Sequence, residues 1–213
     1  MIAAREHLLR IVEPTYGFAR ERLGLEFDVA FVIYVGIGVG AGWATRFEET
    51  PACLFGLENI AELGWLDEGT LSALTAHELG HLTHEEWRTQ AGLAGGDGLL
   101  WTLYSEGLAM RMEHRVMGRE TWHEQTGQVG WLAFCQNTKA RLARLFLSRL
   151  SKDGNVADFF GSWYKVEGFS QTGYYLGHEV IKELEDHYTL RDIALFSAKQ
   201  VEFECVRLLA AMV

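Results

Sequence analysis

The sequence predicts an α+β fold, a short mixed sheet in the N-terminal quarter followed by a mainly helical body. Three observations predict it. β-Branched and aromatic residues crowd the stretch from 27 to 58. From Gly69 onward apolar residues recur at helical spacing. Glycine supplies most of the punctuation, with 23 glycines against two prolines, Pro14 and Pro51, so no proline-rich linker divides the 213 residues. A single domain is expected over 1–213, with a helix-plus-sheet lobe over 1–69 and a helical lobe over 70–213.

In order, residues 2–23 read as helix, with Leu8, Leu9 and Val12 apolar, an interruption at Pro14 and a restart after it. Three strands follow in FDVAFVIYVGI, GWATRF and ACLFGLE, with glycines 36, 38, 40 and 42 marking bends, bulges or close approaches. A helix is predicted over Thr70–Gln90, carrying Leu71, Leu74 and Leu82. Gly92, Gly95, Gly96 and Gly98 end it, and a second helix covers Leu99–Met117. Further helices are predicted over 121–150, 154–165, 172–187 and 190–212. No internal repeat or low-complexity segment is visible.

Composition narrows the partners. Lys and Arg sum to 19 and Asp and Glu to 29, so the net charge is −10. That balance argues against nucleic acid or an anionic membrane as the partner, since both demand a cationic face. Apolar residues at 48% and charged residues at 23% describe a folded chain. Cys53, Cys135 and Cys205 are widely spaced, which is neither a disulfide framework nor a paired metal site, and points to a reducing compartment. Cys53 on its strand reads as a small core hydrophobe. MIAAREHLLR carries charges where a signal peptide needs an apolar stretch. The uncharged run Val29–Ala44 falls short of the roughly 18–20 apolar residues that span a bilayer, and its four glycines favour a strand, a turn and a second strand. A cytoplasmic location is expected.

The chemistry concentrates in His77-Glu78-Leu79-Gly80-His81, an HExxH sequence on the helix predicted over Thr70–Gln90. Positions i and i+4 share a helix face, so both imidazoles can reach one zinc ion. Glu78, one residue beyond the first histidine, is suited to act as general base toward water, which zinc acidifies. A catalytic zinc needs a third protein ligand and an open position. Glu106, in the segment running from Trp101 to Ala109 (WTLYSEGLA) on the next helix, is the candidate, because an antiparallel return would bring it opposite the His77/His81 face.

HELGH followed by SEGLA resembles the gluzincin metallopeptidases of the MA clan, where a glutamate on a second helix completes the HExxH site. Aminopeptidase-N-like members carry a similar NEGFA segment, and the chain length is similar to the small predicted zinc-dependent proteases of that clan. The resemblance covers roughly residues 50–185. It implies a zincin-like helical body, His77, His81 and Glu106 as zinc ligands and Glu78 as the base. Tyr174-Tyr-Leu-Gly177 is similar to the Tyr-x-x-Gly helix downstream of the zinc site in aminopeptidase-like members, which implies Tyr174 as donor to the oxyanion, with Tyr175 and His178 as neighbours able to take that role. Gly56-Leu57-Glu58-Asn59 is similar to the strand that holds a substrate's amino group, which implies Glu58 as amine anchor.

Several features depart from the family. Thermolysin-like members place an aspartate four residues after the third ligand, where Met110 stands here. The group that orients the zinc histidines must then come from elsewhere, and Asp97 and Glu113 are candidates. His84 is a possible competing ligand. Trp87 occupies the position of the third metzincin histidine, and the cysteine motif of peptide deformylase is absent. His114 and His123 read as surface or helix-end residues, and Trp43, Trp65, Trp101, Trp122, Trp131 and Trp163 as core or cleft wall. The expected function is a zinc-dependent metallohydrolase, a peptidase acting on peptides or small proteins. The alternatives are a silent metallopeptidase-like binding module and a zinc amidohydrolase with a non-peptide substrate.

Overall fold

The computed structural model describes residues 1–36, 38, 40–150, 155 and 157–213. It is α+β, with a three-stranded mixed sheet near the N-terminus and mostly helices after it. Helix α1 spans Ile2–Leu23 and is followed by β1 Ala30–Tyr34, β2 Gly42–Phe47 and β3 Thr50–Gly56. Then come α2 Leu57–Glu62, α3 Glu68–Gln90, α4 Gly98–Met117, a 3₁₀ turn at His123–Gln125 and α5 Trp131–Leu150. The described chain closes with α6 Ala157–Phe160, α7 Thr172–Leu184, α8 Leu190–Ala194 and α9 Ala198–Ala211. Among the described residues no helix is long and apolar enough to cross a membrane.

The residues divide into two compact units, Met1–Thr83 with Met112–Val129, and His84–Arg111 with Gly130–Val213. In the first, α1 runs through Pro14 instead of restarting after it. A proline inside a helix costs about 3 kcal/mol. The buried stripe of Ala4, Leu8, Ile11, Thr15, Ala19 and Leu23 continues unbroken on both sides of it, so burial along one face offsets that cost. The sheet order is β1-β3-β2: β3 pairs parallel with β1 and antiparallel with β2. β3 is therefore central and β2 is an edge strand. The β2–β3 connection is a two-residue turn at Glu48 and Glu49, both with positive φ (47° and 68°), the geometry that matches strand twist.

The second unit is held by a close helix crossing and a buried cation. A Cβ on Gly107 of α4 would lie 2.2 Å from the Gly177 carbonyl oxygen of α7. One on Gly177 would lie 2.4 Å from the Leu103 carbonyl oxygen. The two backbones touch because neither residue carries a side chain. Arg88, in the last turn of α3, is buried and donates to the carbonyls of Ala194 (2.8 Å), Phe196 (2.9 Å) and Ala94 (2.5 Å), with its guanidinium 4.8 Å from the Trp101 ring centroid. Ala194 ends α8, where unsatisfied carbonyls favour a cation. Tyr104 donates to the neighbouring Ile193 carbonyl at 2.5 Å, and burial pushes its phenol pKa up.

Several expected helices differ. The one predicted over 121–150 is a 3₁₀ turn followed by α5, because Gly127 and Gly130 take φ of 82°, outside the helical region. The one predicted over 190–212 is split by Ser197, whose side chain caps α9 in a reciprocal pair with Gln200, as Thr189 and Asp192 do for α8. Residues 154 and 156 of the helix predicted over 154–165 lie outside the described residues, and the helix seen there ends at Phe160. Trp65, Trp122 and Trp131 are buried, but Trp43 and Trp163 are exposed.

The Gly107–Gly177 crossing has a direct test. Gly177→Ala forces a methyl into backbone atoms and is expected to lower unfolding free energy by about 1–3 kcal/mol in urea titration. Wild-type stability in that variant would mean that the two helices have room to separate.

Candidate metal centre

His77, Glu78 and His81 lie on α3, where the i, i+4 spacing sets both rings on one face. Their Nε2 atoms are 3.1 Å apart and the rings meet edge to face. With Zn–N bonds of about 2.0–2.1 Å, two ligands of a tetrahedral zinc stand roughly 3.3 Å apart. The histidine pair is thus spaced as it would be around one ion. Among the described residues two groups offer three ligand atoms that all lie within 4.8 Å of one another: His77, His81 and Glu106, and His77, Glu113 and His123. The residues present fit a metal ion of the kind bound by imidazole and carboxylate.

The other nitrogen of His77 faces a carboxylate: Nδ1 is 3.5 Å from Glu113 Oε2. Glu113 is fully buried on α4. Its Oε1 accepts from the Thr121 hydroxyl at 2.6 Å, and its Oε2 lies 2.9 Å from His123 Nδ1. Beyond, His123 Nε2 is 3.6 Å from Glu124 Oε1. The His123 ring stands edge to face against both His77 and Trp65, at 5.0 and 5.1 Å. Burial pushes the Glu113 carboxyl up, but His123 and His77 outweigh it and hold the pKa at about 2. His123 is pushed down by burial and up, with the larger effect, by the Glu124 and Glu113 carboxylates. Burial, reinforced by Glu113, pushes Glu124 up to about 7 against the pull of His123.

Of the two candidates for orienting the histidine pair, Glu113 stands beside His77, whereas Asp97 is exposed in the loop before α4. His114 and His123, expected at the surface, are both buried. Burial follows from their partners, Glu113 for His123 and the Thr121 carbonyl, 2.6 Å from Nε2, for His114. Sequence reasoning missed Thr121, His123 and Glu124. The one available signal is the TWHE cluster at 121–124, at the start of the helix that spacing predicts over 121–150. His84 belongs to neither ligand group, and its ring packs against Trp101 and Tyr104.

Glu78 is buried, and its carboxylate lies against β2: a Cβ on Gly42 would meet its Oε1 at 2.4 Å. Burial and the nearby Glu78 charge both push the buried Cys53 thiol up, which fits its reading as a core hydrophobe. Glu58 departs from expectation. The Gly56–Asn59 segment is not a strand, because β3 ends at Gly56 and Glu58 sits in the first turn of α2. Its Oε1 accepts from the backbone N–H groups of Gly36 (2.7 Å) and Gly38 (3.2 Å), which together with its own backbone N–H lower its pKa despite some desolvation. That carboxylate ties down the glycine-rich loop after β1.

Glu106 lies on α4 next to Gly107, and Tyr174 lies on α7 one turn before Gly177. The Gly107–Gly177 contact therefore holds the Tyr174 helix against the Glu106 helix. Tyr174 is half-buried, with its ring edge to face on Phe160 at 5.5 Å. Tyr175 and His178 are buried, His178 lying between Arg111 (3.0 Å) and Glu179 (3.2 Å). No protein-family model, curated protein or solved structure matches this chain.

A preformed ligand set binds metal in the folded state only, so metal should stabilise the protein. Zinc at a hundredfold excess over its Kd is expected to add about 2.7 kcal/mol, read as a rise in Tm that a chelator reverses. An unchanged Tm at saturating zinc would count against the ligand set.

Proposed function

We propose that the protein is a zinc-dependent metallohydrolase of the gluzincin kind, and a peptidase. The observation that carries this is the His77–His81 pair, with Nε2 atoms 3.1 Å apart on the helix that also carries Glu78. His77, His81 and Glu106 would hold the ion, leaving one position open. Bound zinc would supply Lewis acidity toward a carbonyl oxygen and lower the pKa of a water.

The chain's own residues supply the rest. Glu78 takes the proton of the attacking water on its carboxylate and hands it to the leaving amine. Gly42 has no side chain, which leaves room for that carboxylate beside β2. The phenol of Tyr174 donates a hydrogen bond to the oxyanion as it forms. β2 is an edge of the sheet beside Glu78, and its outer N–H and C=O groups suit an extended peptide. That edge favours a peptide over a small amide as substrate, with Trp43 exposed on the same strand.

Three variants test the reading. Wild type is expected to carry about one zinc per chain by elemental analysis, and Glu106→Ala to lose it or bind it more weakly. Glu78→Gln is expected to keep the zinc and lose roughly 10²–10⁴-fold in peptide hydrolysis, the usual worth of a general base. Gly42→Ala, which pushes a methyl into the Glu78 carboxylate, should reduce turnover while leaving zinc content unchanged. Zinc-free wild type after reconstitution would refute the hydrolase and leave a binding module. Cleavage confined to non-peptide amides would refute the peptidase alone. Peptides with free and blocked N-termini cut at equal rates would remove Glu58 as an amine anchor.

A further inference from the structure

The proposed zinc ligands leave a layer of ionisable groups behind His77 unexplained. Glu113, His123 and Glu124 are each at most 4% exposed, and Thr121 is buried beside them. Unpaired, such groups cost several kcal/mol each to keep from water, so an arrangement that only filled space would be replaced by apolar side chains at a gain. They stand in a row instead: His123 Nδ1 and Glu113 Oε2 are 2.9 Å apart, with longer contacts at either end, Glu124 Oε1 to His123 Nε2 at 3.6 Å and Glu113 Oε2 to His77 Nδ1 at 3.5 Å. Thr121 fixes the remaining oxygen of Glu113.

We propose that His123, acting through Glu113, is the positioning residue for the metal ligand His77. This inference rests on the zinc reading above and goes beyond it by assigning the short 121–126 segment a role in metal affinity. A carboxylate at His77 Nδ1 holds the proton on that nitrogen, which turns the Nε2 lone pair toward His81 and the ion. A carboxylate with one anchor can rotate away from the imidazole it orients. Here both oxygens are held, Oε1 by Thr121 and Oε2 by His123, so the plane of Glu113 is fixed. Trp65 holds the His123 ring edge to face, and its indole N–H donates to the Thr126 carbonyl at 3.3 Å. The hydroxyl of Thr126 is 3.0 Å from that of Thr70 on α3. The segment is thereby tied back to the helix that carries His77.

The test measures zinc affinity by chelator competition, well below the Tm of each variant, together with the visible absorption of the cobalt-substituted protein. Glu113→Gln and His123→Leu are expected to weaken zinc binding by roughly 10–100-fold and to alter the cobalt spectrum. His123→Asn carries an amide N–H where Nδ1 stands, so it should recover most of the wild-type affinity. Thr121→Val removes one anchor with little change of shape, and is expected to weaken binding several-fold even where the larger change prevents folding. Wild-type affinity and spectrum in every variant, with only Tm lowered, would overturn the inference and leave the zinc reading intact. Two ions per wild-type chain, one of them lost in His123→Leu, would also overturn it, since the cluster would then be a metal site in its own right. A wild type that takes no metal would remove both readings.

Discussion

A charged carboxylate sealed from water governs the first unit. Glu113 is fully buried, and the effective penalty of burying such an ion is several kcal/mol unless donors surround it. The surrounding structure supplies them: the Thr121 hydroxyl on one oxygen, the His123 ring on the other, and His77 close by. Each demand propagates. Thr121 and His123 reach Glu113 only because the chain turns back after α4, and that turn leaves His123 packed on Trp65 and the Thr126 hydroxyl 3.0 Å from the Thr70 hydroxyl on α3. His77 turns Nδ1 toward the same charge, 3.5 Å away, and Nε2 toward His81.

The second unit meets an equivalent problem with the opposite sign. Arg88 is buried and donates to three carbonyl oxygens, one of them at the C-terminal end of α8, and lies near the Trp101 ring. Helix-end carbonyls carry partial negative charge and lack intrahelical partners, so one cation satisfies several acceptors at once. Around it the helices approach through absent side chains. Gly107 and Gly177 let α4 and α7 touch at backbone distance, and the same contact holds the Tyr174 helix against the Glu106 helix. The glycines in SEGLA and YYLG are thus packing residues next to candidate functional ones. Gly42 plays the comparable part in the first unit, because any side chain there would occupy the space of the Glu78 carboxylate.

Much of this was legible in the sequence, for reasons that differ element by element. Strands β1–β3 and helices α3, α4 and α7 were readable because residue spacing alone encodes them. HExxH was readable because i, i+4 geometry is local and needs no knowledge of the rest of the fold. Pro14 carries a strong local signal for a break, and the burial of one continuous stripe overrode it. The long helices expected over 121–150 and 190–212 were divided by glycines at positive φ and by the Thr189 and Ser197 capping boxes. Glu58, expected on a strand, stands in a helical turn, bound to the N–H groups of a loop some 20 residues upstream.

The sequence by itself therefore determined the fold class, the order of its main elements and the helix that presents His77, Glu78 and His81 on one face, because these rest on periodicities within a few turns of chain. Tertiary structure alone decided that Glu113 and not Asp97 stands behind His77, that His123 and Thr121 hold it there, that β2 is the edge beside Glu78, and that Gly107 meets Gly177. Each of those depends on desolvation or on close approach between residues distant in sequence, and neither leaves a periodic trace in the chain.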